Sequence, residues 1–148
     1  MPAARAHRSN RDIRRWIYGG LDLGFAVLYV IAMAFAARSR FAEGRVIVGC
    51  LPAFAIMAAV GTLVGGKRGW RIACSGCIAL CVMAAYLLLA LCVDAAYLAG
   101  VYGSFGKAAA SFAIVTGLLV IELVGLVPAL QLKWLRSRAG RRAFGMLG

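Results

Sequence analysis

The sequence predicts an all-α integral membrane protein: an antiparallel four-helix transmembrane bundle with short loops. Three observations lead there. The chain of 148 residues is 64% hydrophobic, well above the ~45–50% apolar content of soluble domains, and its mean hydropathy is +0.88. Its apolar residues gather in four runs, each near the roughly 20 residues that a helix needs to cross a bilayer. Its charges, 17 Lys and Arg against 5 Asp and Glu, sit mainly at the ends of those runs. In a soluble protein a net charge of +12 would point to nucleic acid. At the ends of apolar runs the same cations meet anionic lipid headgroups, so lipid rather than nucleic acid is the expected partner.

The elements follow in order. Residues 1–15 read as a basic N-terminal arm carrying Arg5, His7, Arg8, Arg11, Arg14 and Arg15. Trp16 and Tyr18 are interfacial aromatics that open the first span, about 16–37. Ala34-Phe35-Ala36 has the small-residue form of a cleavage site. The run is longer than a signal core of about 7–15 residues, so a retained helix is expected over a signal peptide or an Arg-rich mitochondrial presequence. Arg38 to Arg45 is a short mixed loop, and the second span covers about 46–66, with Pro52 in its second turn.

Lys67 to Arg71 reads as a tight basic turn into the third span, 72–100. Val101 to Lys107, holding Gly103 and Gly106, turns the chain into the fourth span, 108–132. Residues 16–132 thus make one transmembrane domain, and 133–148 a basic tail. That tail, with Trp134, Leu135, Phe144, Met146 and Leu147 among its arginines, either frays as a charged anchor or lies along the membrane surface. Thirteen of the 17 Lys and Arg fall on one side of this arrangement. The positive-inside rule then puts both termini in the cytoplasm of a multi-pass inner (plasma) membrane protein. Arg14, Arg15, Lys67, Arg68, Arg71, Lys133, Arg136 and Arg138 are the expected headgroup contacts.

The third span is the expected centre of packing. It carries four of the five cysteines, and Asp94 is its only charge. At about 100° per residue, Cys74, Cys81, Ala85 and Cys92 fall near one line, with Cys77 a step to the side. That line makes a seam of small side chains. Gly20 with Gly24, and Gly61 with Gly65, add the four-residue spacing that lets helices approach closely, within the chain or between copies in a homo-oligomer.

Ionisable groups inside spans are costly and therefore informative. Glu122 stands near the middle of the fourth span, with Ser111, Leu118, Gly125 and Ala129 on its face. It reads as a proton or cation site inside the bundle or as a carboxyl hydrogen-bonded to a neighbouring helix, with Pro128 as the bending point beside it. Asp22 lies two turns inside the first span, where Tyr18, Tyr29, Arg68 or Arg71 would satisfy it. Asp94 is expected near the outer interface. These three acids are the ion-binding candidates.

Cys74 and Cys77 form a C-x-x-C at a helix start, where the helix dipole favours thiol reactivity. Small four-helix membrane thiol oxidoreductases exist, the quinone-linked disulfide-forming enzymes and the vitamin K epoxide reductase group, but they work on the oxidising side, whereas this pair is expected near the cytoplasmic face. Those enzymes carry a second cysteine pair in a loop, and this chain has no loop cysteine. Three thiols on one face also raise soft-metal transport, without a Met or His array beside them. Packing is the plainer role for a cysteine in an apolar helix.

The only histidine is His7, and no phosphate-binding glycine loop or H-E-x-x-H is present. No catalytic residue, cofactor or metal is therefore expected. Two readings of function remain first. One is a non-enzymatic accessory, scaffold or assembly subunit that packs against membrane-protein partners or copies of itself. The other is a small oligomeric transporter or channel for protons or cations using Glu122. A thiol oxidoreductase using Cys74 and Cys77 comes third.

Overall fold

The structure, a computed structural model, describes residues 2–36 and 42–146, with side chains at 13–34, 49–119, 121, 122 and 124–146. Across these residues the secondary structure is helical, with no strand. The helices are α1 (Pro2–Ala36), α2 (Ala42–Val64), α3 (Gly66–Val101), α4 (Gly103–Arg136) and a short α5 (Arg138–Ala143). Three stretches are long and apolar enough to cross a membrane: Ile13–Ala34, Gly66–Val101 and Gly103–Arg136. The apolar part of α2, Gly49–Val64, is shorter.

Several boundaries differ from those read off the sequence. The basic arm is not separate from the first span, because one helix of 35 residues runs through both. Lys67–Arg71 is not a turn but the beginning of α3. The reversal is confined to Gly65 and Gly66, at φ 73° and 68°, a region that glycine enters without steric penalty. The expected turn at Val101–Lys107 likewise shrinks to Tyr102 and Gly103, the latter at φ 57°. There Tyr102 N–H donates to Leu98 O at 3.1 Å and Gly106 N–H to Tyr102 O at 3.2 Å. Backbone hydrogen bonding therefore passes almost unbroken from α3 into α4. Of the expected first loop, 38–41 lie outside the described residues and Ala42 onward belongs to α2.

Through Met146 the tail is neither frayed nor spread out; Leu147 lies outside the described residues. α4 continues to Arg136, and Ser137 then caps α5, its hydroxyl accepting from Gly140 N–H at 3.1 Å and donating to Trp134 O at 2.6 Å. This sharp corner folds the chain back beneath the long helices. Leu135 and Phe144 are buried there with Ala58, Ala73, Cys74, Cys77 and Trp134. Tyr18 stacks on Trp134 at 5.2 Å, and Trp70 Nε1 donates to Leu135 O at 2.9 Å. The result is a base that ties all five helices together. A second buried cluster above it joins Ala26, Tyr29, Leu51, Ala55, Leu80, Ala84 and Val124 from the four long helices.

Successive helices meet in opposite chain directions. Gly19 faces Leu63 across α1–α2, Gly76 faces Ala58 across α2–α3, and Gly117 faces Leu91 across α3–α4. The α2–α3 contact is backbone on backbone: a Cβ at Gly76 would stand 2.7 Å from Ala58 N, and one at Gly69 would stand 2.7 Å from Gly61 O. These registers place Ala36, the last described residue of α1, level with roughly residue 88 of α3. The α3–α4 pair therefore runs on past the last described residue of α1 by about 20 Å, at 1.5 Å per residue.

Candidate functional site

Among the described residues, three polar side chains are buried within this apolar structure: Asp22 at 2% exposure, and Thr62 and Gln131 at 0%. Each stands on the buried stripe of its own helix. On α1 that stripe is Gly19, Asp22, Ala26 and Tyr29; on α2 it includes Ala55, Ala58 and Thr62; on α4 it is Val124, Pro128, Gln131 and Leu135. Spacings of three and four residues keep each set on one face.

Gln131 joins the three helices. Its Nε2 donates one hydrogen to Asp22 Oδ2 at 2.7 Å and the other to Thr62 Oγ1 at 3.0 Å. Thr62 Oγ1 in turn donates to Ala58 O at 2.7 Å, within α2. Because both amide hydrogens are engaged, the orientation of the amide is set. Among the described residues, Gln131 Oε1 is left buried without a hydrogen-bond partner. Just below, Arg15 closes the end of α2, with Nε donating to Thr62 O at 3.1 Å and a terminal nitrogen to Leu63 O at 2.9 Å. Its guanidinium lies 5.1 Å from the centre of the Phe144 ring.

Among the acids, the structure reverses the order of interest. Glu122 is exposed, not inside the bundle, and so are Ser111, Leu118 and Ala129 of its supposed inner face. Nine residues separate Glu122 from Gln131, about half a turn at 100° per residue, so the buried stripe of α4 turns Glu122 outward. Asp22 is the acid that enters the core, and its partner is Gln131 rather than a tyrosine or an arginine. Arg68 and Arg71 are exposed. Asp94 is exposed on the part of α3 that runs past α1. Pro128 is buried in an α4 that continues through it.

The packing residues divide in the same way. Cys74 and Cys77 are buried, Cys81 is half-buried, and Ala85 and Cys92 are exposed. The α3 seam follows Gly69, Ala73, Gly76 and Leu80, which puts Cys77 at its centre and carries Ala85 and Cys92 away from α2. All five thiols are free. Gly20 and Gly24 have open space before them, whereas Gly61 lies within the α2–α3 contact and Gly65 sits beside the Arg15 guanidinium. Arg14, Lys67, Arg68, Arg71, Lys133, Arg136 and Arg138 are exposed, while Arg15 is half-buried in its role at the end of α2.

Thr62, Gln131, Gly69 and Gly76 are residues that charge and motif spacing did not single out. The signal that finds Gln131 is the stripe Val124–Pro128–Gln131–Leu135, one polar residue on an otherwise apolar face. Among the described residues no three His, Cys, Asp or Glu side chains gather to hold a metal ion. A groove of about 470 Å³ lies between α3 and α4, lined by Leu87, Leu91, Phe112 and Gly117 among others, and its surface is almost wholly apolar. Compared with protein-family models, curated proteins and solved structures, the chain matches none.

Proposed function

We propose that the protein is a four-helix inner-membrane protein that acts, without catalysis, as an accessory, scaffold or assembly subunit. The observation that carries this reading is the free stretch of the α3–α4 pair. Beyond the level of Ala36, no described residue of α1 stands beside it, and its large apolar side chains point outward. Phe105 is 80% exposed, Phe112 75% and Tyr97 69%. In a soluble protein such a surface would aggregate; in a bilayer its inner part meets lipid.

The outer part overshoots. From Arg71, a hydrocarbon layer of about 30 Å takes up only about 20 residues of α3, so Tyr97, Tyr102 and Phe105 reach the far interface or beyond. Aromatic side chains at that level favour a neighbouring membrane protein or a second copy. The exposed cations at the other end, together with the positive-inside rule, favour a cytoplasmic base and cytoplasmic termini.

Two placements favour this reading over the others. Glu122 is exposed rather than enclosed by the chain's own helices, so an ion path through it would need further copies around it. Thiol exchange needs accessible sulfur, and Cys77 is fully buried. The test is extraction in a gentle detergent followed by mass measurement. The wild type should run as a stable complex, while Phe105→Ser with Phe112→Ser should release a folded monomer with an unchanged melting temperature. A wild type already monomeric in gentle detergent and in native lipid discs would defeat the proposal. A reporter fused after Gly148 and active only outside the cell would overturn the orientation.

A further inference from the structure

We propose that Asp22 and Gln131 bind a single monovalent alkali cation inside the helix packing, with Thr62 as the positioning residue. This goes beyond the accessory reading and does not rest on it. The starting point is Gln131 Oε1, fully buried and without a donor among the described residues. A buried amide oxygen left unpaired is a costly feature that a native interior seldom retains. Turning the amide over would give up both of the donations that its Nε2 makes, to Asp22 Oδ2 and Thr62 Oγ1.

The amide that carries this oxygen is held against a carboxylate that is itself 2% exposed. An unpaired amide oxygen and a carboxylate on touching side chains in an apolar interior call for a species that brings positive charge. A further acceptor lies on the same stripe. Pro128 has no N–H, so the carbonyl of Val124 lacks its usual helical donor. Helical side chains lean back over the preceding turn, so Gln131 extends from its Cα toward that same turn of α4.

The donor set decides the class of ion. Carboxylate, amide and peptide oxygens are hard ligands, suited to alkali and alkaline-earth cations rather than to soft metals. The site holds one carboxylate, so one positive charge neutralises it. A divalent ion would leave a net charge buried among Ala58, Ala26 and Leu135, which the same desolvation argument opposes. Thr62 touches the ion only through the amide: its hydroxyl keeps Gln131 turned so that Oε1 stays free.

The experiment uses the full chain, purified and placed in lipid nanodiscs. Binding of radioactive sodium is measured directly, and the melting temperature is compared in sodium, potassium and choline chloride at equal ionic strength. The wild type is expected to bind one sodium or potassium ion saturably and to melt higher in that salt than in choline. Asp22→Asn should remove saturable binding. Thr62→Val keeps the side-chain shape and should weaken affinity about tenfold, the loss of one hydrogen bond's worth of positioning. It also serves where Asp22→Asn does not fold.

Melting that is identical in all three salts, with no saturable uptake, overturns the proposal. So does stability that follows pH alone, which would assign the position to a proton. Unchanged sodium affinity in Thr62→Val removes Thr62 from the site. Loss of the partner complex with cation binding intact would sink only the accessory reading.

Discussion

At Gln131 one amide gives both of its hydrogens to oxygens on two other helices. Replacing it with leucine leaves Asp22 and Thr62 buried without that donor. Gln131→Leu is expected to lower stability by about 2–3 kcal/mol, the range for stripping a partner from a buried charged group. Thermal unfolding followed by circular dichroism checks it. Glu122→Gln should change the same measurement by no more than about 0.5 kcal/mol, as for other exposed positions; a loss as large as that of Gln131→Leu would contradict the outward placement. Both acids are equally conspicuous in the sequence, since each interrupts an apolar run. What separates them is the face of the helix. Glu122 shares its face with Leu118 and Ala129, which are apolar enough to pass for interior. Only the positions of α1, α2 and α3 around α4 decide that the stripe through Val124 and Gln131 is the inner one.

Among the elements, α2 and α3 meet backbone on backbone, and glycine permits it. Gly76→Leu would drive a side chain into the α2 backbone at Ala58 and should destabilise by about 3 kcal/mol, the upper part of the usual range for overpacking. Gly20→Leu, with open space before it, should be neutral within about 0.5 kcal/mol. Melting curves of the two variants side by side provide the check, and equal losses would refute this assignment of the seam. Spacing alone treats Gly20–Gly24 and Gly61–Gly65 alike, which is why the sequence does not rank them. The short turns were hidden for a related reason. Lys67-Arg68-Gly69-Trp70-Arg71 looks like a loop by composition, yet two glycines at positive φ complete the reversal before it begins.

For the whole molecule, composition and run length were enough for the all-helical class and for the long apolar helices. The folded-back base was not legible, because Trp134, Leu135 and Phe144 read equally well as surface anchors among arginines. Their burial depends on the corner at Ser137 and on the contact of Gly140 with Trp134. Phe144→Ala should therefore cost about 3 kcal/mol, as for a core aromatic, and a melting temperature unmoved by it would mean that α5 is not docked. The base has one more consequence. The three tryptophans of the chain are Trp16, Trp70 and Trp134; the last two belong to the base, and Trp16 stands on α1 next to Arg15, which reaches into it. Indole fluorescence is thus a built-in lamp at one end of the protein, dimming or shifting when α5 lets go. Tyr97 and Tyr102, both exposed at the opposite end, can be iodinated or nitrated as a second and separate signal. Release of the base and coverage of the hairpin tip can then be followed independently in one sample.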